Sequence, residues 1–126
     1  MTENEIGTIV IETCIHIHKE LGPGLLESVY ESILFHELNK KGLKTQKQVP
    51  VPIIFEEIEF EEGFRADLII ENKVIIELKS IEMINNVHKK QLLTYLKLSH
   101  LKLGYLINFN EELLKNGITR IINGKL

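Results

Sequence analysis

The chain has 126 residues, 44% of them apolar and 26% charged, which suffices for one hydrophobic core, so a single domain over residues 1–126 is expected. Its only cysteine, Cys14, excludes a disulfide framework and a thiolate zinc cluster. A net charge of −3 excludes a broadly basic surface, so contact with nucleic acid needs a local patch.

No apolar run reaches membrane-spanning length and no signal peptide opens the chain. No membrane contact is expected, and the cytoplasm is the default compartment. Thr2-Glu3-Asn4-Glu5 has capping-box spacing, and Ile6, Ile9, Val10, Cys14, Ile17 and Leu21 follow at helical intervals, predicting a helix from about Glu3 to Glu20. Ile11 and Ile15 widen its apolar surface, which suits cover on two sides or a homodimer contact through this helix. Cys14 reads as a small core residue, while His16 and His18, two apart, point to different parts of the helix surface.

Leu21-Gly22-Pro23-Gly24 ends this helix and starts the next, whose period runs through Leu26, Val29, Tyr30, Ile33, Leu34 and Leu38 to Lys40-Lys41-Gly42. Glu27 sits in its first turn, where a carboxylate complements the helix dipole. From Leu43 the period becomes that of strands. Leu43 to Val51 is interrupted by Pro50, with Pro52 just beyond, which suits an edge strand or a bend. Ile53 to Phe60 carries Glu56-Glu57 as a hairpin turn, and Glu61-Glu62 reads as a solvated face and turn. Lys40, Lys41, Lys44 and Lys47 offer phosphates a landing strip, or are simply a helix end and an exposed strand.

The most informative stretch is Gly63 to Ser80, GFRADLIIENKVIIELKS. Two β-branched runs flank Glu71-Asn72-Lys73, a hairpin with a short polar turn. Asp67, Glu77 and Lys79 stand where a buried strand would carry Val or Ile. A three-residue loop pairs Ile70 with Val74 and sets Asp67 opposite Glu77, with Lys79 on the same face; a four-residue loop would separate the carboxylates. Like charges directly opposite destabilise a sheet, and a bound divalent cation reverses that sign, because Mg²⁺ takes carboxylate oxygens and keeps several waters.

Beyond Asn85-Asn86 a helix is predicted over Val87 to Ser99, with His88, Gln91 and Tyr95 along one stripe. His100 to Phe109 reads as a central strand, Glu111 to Lys115 as a short helix, Asn116-Gly117 as a turn and Ile118 to Ile122 as a last strand. The order suits an α/β or α+β domain with a mixed sheet flanked by helices.

Asp67, nine residues, then Glu77-Leu78-Lys79 resembles the signature of the PD-(D/E)XK nuclease superfamily. Gln91-Leu92-Leu93-Thr94-Tyr95 matches the QxxxY motif of its exonuclease branch, and Gly24 to Tyr30, GLLESVY, matches the motif of the GxxExxY family. The resemblance covers residues 6 to 122 and implies a restriction-endonuclease-like core that cleaves phosphodiester bonds of DNA or RNA. It implies that Asp67, Glu77 and the Leu78 carbonyl hold Mg²⁺ or Mn²⁺ with Glu27 as an outer or direct ligand, that Lys79 acts on the attacking water, and that Gln91 and Tyr95 face the cleft. The superfamily's Pro before the first Asp is absent, replaced by Arg65-Ala66. Beside the nuclease stand two alternatives: a binding or assembly module that keeps the fold without turnover, and a small-nucleotide phosphoesterase.

Overall fold

The computed structural model describes residues 1–126. The first helix, α1 (Glu3–Leu21), is started by the expected capping box: the Glu5 amide donates to Thr2 Oγ1 at 3.1 Å and the Thr2 amide to Glu5 Oε1 at 2.9 Å. Gly22 ends it at φ 70°, a conformation that favours glycine. Helix α2 (Glu27–Lys40) follows after the Gly-Pro-Gly break. No helix is long and apolar enough to cross a membrane.

Five strands then build one mixed sheet in the order β1-β2-β3-β4-β5. Strand β1 (Thr45–Phe55) runs antiparallel to β2 (Ile58–Ile70), turning at Glu56 and Glu57, both at positive φ as a tight hairpin turn requires. These strands are longer than the sequence predicts. β1 passes through both Pro50 and Pro52, which its edge position allows, because its outer side needs no amide donors. Glu61 and Glu62 lie inside β2, exposed, rather than in a turn.

Strand β3 (Val74–Lys79) pairs antiparallel with β2 in the register of the three-residue loop, Ile70 against Val74 and Leu68 against Ile76. Helix α3 (Asn86–Ser99) crosses over to β4 (Leu103–Asn108), which lies parallel to β3. Asn85 caps α3, with its carboxamide oxygen accepting from the His88 amide and His88 Nδ1 accepting from the Asn85 amide, both at 3.1 Å. A 3₁₀ turn at Leu114–Gly117 leads to β5 (Ile118–Ile122), antiparallel to β4. That turn absorbs the Asn116-Gly117 signal and replaces the short helix expected at Glu111 to Lys115.

The two faces of the sheet carry separate cores. On one, α1 and α2 bury Ile6, Val10, Leu34 and Leu38 against Leu68, Ile70, Ile76, Leu78 and Ile107. On the other, Leu92 and Leu96 of α3 meet Ile69, Ile75 and Leu106. Alternation along β3 therefore places Glu77 and Lys79, which share parity with Ile75, on the α3 side.

Candidate active site

The hydrogen-bond ladder between β2 and β3 stops at Leu68 and Ile76, and at the next rung side chains replace it. The Asp67 amide donates to Glu77 Oε2 and the Leu78 amide donates to Asp67 Oδ2, each at 2.9 Å. Each carboxylate thus closes the gap from the opposite strand with one oxygen. Their second oxygens receive no backbone or lysine donor, and no buried side-chain oxygen lacks a partner.

Glu77 is only 8% exposed. Burial first, and then the charge of Asp67, push its pKa well above the usual carboxylate range, against the pull of the Asp67 amide and of Lys79. No ion pair relieves it: the two salt bridges of the chain are Lys40–Glu37 and Arg65–Glu62. Lys79, half-buried two residues on, is a cation without a carboxylate within bonding distance. Two opposed carboxylates of this kind are an electrostatic liability that a divalent cation removes.

Glu27, at the start of α2, accepts a hydrogen bond from the Ser80 amide at 3.0 Å, and Ser80 Oγ donates to the Leu25 carbonyl at 2.7 Å. These bonds latch the head of α2 to the end of β3, immediately beyond Lys79. The other two members of the GxxExxY pattern are structural. Gly24 stands at φ 98°, and Tyr30 donates to the Gly22 carbonyl at 2.6 Å while accepting from the Leu25 amide at 3.1 Å. Its ring stacks on Phe109 with centroids 4.2 Å apart. The pattern thus fixes the loop that presents Glu27.

On α3, Tyr95 is half-buried with its ring flat on Phe64, centroids 3.7 Å apart and planes 2° from parallel. Burial raises its phenol pKa, and the charges of Glu77 and Asp67 add to the effect, so the hydroxyl lies in the field of both carboxylates. Gln91, one turn earlier, is exposed. His88 is occupied in the capping box at the start of α3, where its Nδ1 accepts from the Asn85 amide, an ordinary surface role.

Three polar residues escaped the sequence reading. Glu31, one turn after Glu27 on α2, receives Gln48 Nε2 at 2.6 Å. Burial raises its pKa, the Gln48 bond opposes this, and the charges of Asp67 and Glu27 add to the rise, which makes it a neighbour of the carboxylate site. The i,i+4 spacing from Glu27 was the available signal. Asn108, fully buried on β4 beside Lys79, holds the segment after β3 through Ile81, donating to its carbonyl at 2.9 Å and accepting from its amide at 3.2 Å. Gln48 carried no sequence signal at all.

Three of the four landing-strip lysines make local contacts. Lys40 pairs with Glu37, Lys41 Nζ donates to Thr13 Oγ1 at 2.6 Å, and Lys47 lies over the Phe35 ring. Nor do His16 and His18 meet: His18 is buried against Phe109 with Nε2 2.8 Å from the Glu111 carbonyl, and His16 is exposed.

No group of three or more His, Cys, Asp or Glu side chains converges as a ready-made metal cage. The donor set at the Asp67–Glu77 rung is all oxygen, which fits a hard divalent cation that keeps waters and takes further oxygens from a phosphate. The sequence family described as the PD-(D/E)XK nuclease superfamily matches residues 4–121. Comparison with curated proteins found no match.

Proposed function

This chain belongs to the PD-(D/E)XK nuclease superfamily, and on that premise we propose that it is a Mg²⁺- or Mn²⁺-dependent hydrolase of phosphodiester bonds in DNA or RNA, of the GxxExxY type. The observation that carries the reading is the facing pair Asp67 and Glu77, each with one oxygen on a backbone amide of the opposite strand and with no ion pair to a cation of the chain.

Asp67 and Glu77 would hold the metal, with the Leu78 carbonyl as a further oxygen and Glu27, which does not converge with the pair as a third carboxylate, as an outer or direct ligand. When bound, the metal supplies Lewis acidity and lowers the pKa of a bound water. The protein's own groups do the rest. Lys79 places an unpaired ammonium beside the rung, where it orients a water or neutralises a phosphate oxygen. Tyr95, held flat by Phe64, offers a hydroxyl donor to substrate oxygen, and exposed Gln91 offers a carboxamide from the same side of α3. Glu27 fixes Ser80, and so the end of the strand that carries Lys79.

Labelled single- and double-stranded DNA and RNA, incubated with Mg²⁺, Mn²⁺ or chelator, test this directly, beside calorimetric metal titration. Metal binding and cleavage by the wild type, both lost in Glu77→Ala, is the expected result. Binding without cleavage of any nucleic acid turns the reading towards the assembly module or a small-nucleotide substrate; no metal binding overturns the site.

A further inference from the structure

The apolar excess of α1 is absorbed internally, since Ile9, Ile11 and Ile15 pack against the core. A concentration of exposed apolar side chains lies elsewhere, on the outer part of the β1–β2 hairpin. Phe55 pairs with Ile58 and Ile53 with Phe60, so the four side chains share one face of the arm. Phe55, Ile58 and Phe60 are 63%, 60% and 51% exposed. An exposed apolar face of this kind marks an interaction surface.

Charge and backbone chemistry narrow its occupant. Glu56 and Glu57 form the turn beside the apolar face, Glu59 pairs with Ile54 on the opposite face, Glu61 and Glu62 follow along β2, and the nearby Arg65 is spent on Glu62. Such an arm repels a phosphate backbone, so nucleic acid is not its ligand. β1 is an edge strand, but Pro50 and Pro52 remove amide donors from it, which disfavours strand addition. What fits is an exposed face that is both apolar and basic.

The chain carries such a face itself. Helix α3 contains Lys89, Lys90 and Lys97 and no acidic residue, and Val87 in its first turn is 70% exposed. Within one molecule the β1 side of the arm meets the far end of this helix, where Pro52 and Ile54 border a cavity of about 410 Å³ with Lys97, Leu98 and His100. We propose that the chain forms a homodimer in which the arm of each protomer, through Phe55, Ile58, Phe60 and the turn glutamates, docks on the Val87–Lys90 turn of α3 in a second copy. A two-fold axis gives every arm a partner and closes the assembly. Packing arm on arm would instead bring two sets of turn glutamates together.

The test is sedimentation velocity over a wide concentration range, at low and high salt. It compares the wild type with Phe55→Ser/Phe60→Ser, with Lys89→Glu/Lys90→Glu, and with the latter combined with Glu56→Lys/Glu57→Lys. All positions are exposed, and circular dichroism checks that each variant stays folded. The wild type is expected to dimerise more weakly as salt rises, both double variants to weaken the dimer at least tenfold, and the charge-swapped combination to recover most of the loss. A wild type that stays monomeric overturns the proposal, as does a dimer indifferent to the arm variant. A dimer lost in the arm variant but intact in Lys89→Glu/Lys90→Glu overturns α3 as the docking face.

Discussion

Gln48 faces Asp67 across a rung that the β1–β2 ladder omits, and it does so with its backbone at φ 52°. The sheet changes its allegiance at that point. Leu68 and Ile70, on one side of Asp67, belong to the core under α1 and α2; Phe64 and Ala66, on the other side, pack with Leu92 and Leu96 of α3. The bend at Gln48 and Asp67 therefore carries the hairpin over onto α3 and brings Phe64 to Tyr95.

A left-handed backbone costs a residue with a Cβ about 1–2 kcal/mol, and more for a β-branched one. Gln48→Val is expected to destabilise the fold by roughly 2 kcal/mol and to weaken metal binding, because the positive-φ bend opposite Asp67 is strained. Gln48→Gly keeps the conformation and gives up only the bond to Glu31, so its loss should be smaller despite the more drastic truncation. Urea denaturation and calorimetry of the two variants decide the order.

Glu77 is a carboxyl whose ionisation the fold resists, since burial and Asp67 raise its folded-state pKa above the unfolded value. Its contribution to stability is fully present below the unfolded pKa and is lost as pH rises through the folded one. The metal-free protein should therefore lose stability from weakly acidic to alkaline pH. Glu77→Gln should flatten that slope, and added Mg²⁺ should restore the wild type at neutral pH. Thermal melts in chelator across the range, for both proteins, measure the difference.

Glu27 has two separable tasks: an acceptor for the Ser80 amide, which the structure contains, and a metal ligand, which we propose. Glu27→Gln keeps an oxygen for Ser80 and removes the charge. It should retain stability within about 0.5 kcal/mol while weakening metal binding; Glu27→Ala should lose both, at about 1–2 kcal/mol of stability for the orphaned amide. Equal metal affinity in Glu27→Gln and wild type would leave the latch as its whole role.

Tyr95→Phe preserves the stack on Phe64 and deletes the hydroxyl, so cleavage should fall by about tenfold with the melting temperature nearly unchanged. Tyr95→Ala should cost about 2 kcal/mol in addition, because the stacked pair closes the arm onto α3. Parallel activity and denaturation measurements separate the two effects.

Much of this was legible along the chain because its causes are local. The Thr2–Glu5 cap, the length of the Glu71–Lys73 loop and the alternation of β3 each depend on a few neighbouring residues, and together they set Asp67 against Glu77. Family likeness added Glu27, Gln91 and Tyr95, which spacing alone leaves as a helix start and a boundary stripe. Tertiary structure decided the rest. Glu31 and Asn108 acquire their roles only when α2 and β4 are brought beside β3, and the strand prolines are tolerated only because β1 became the edge. Gln48 is the clearest case. A residue type that prefers negative φ everywhere sits at positive φ because two cores on opposite faces of the sheet both claim the same pair of strands, and no window of sequence contains both cores.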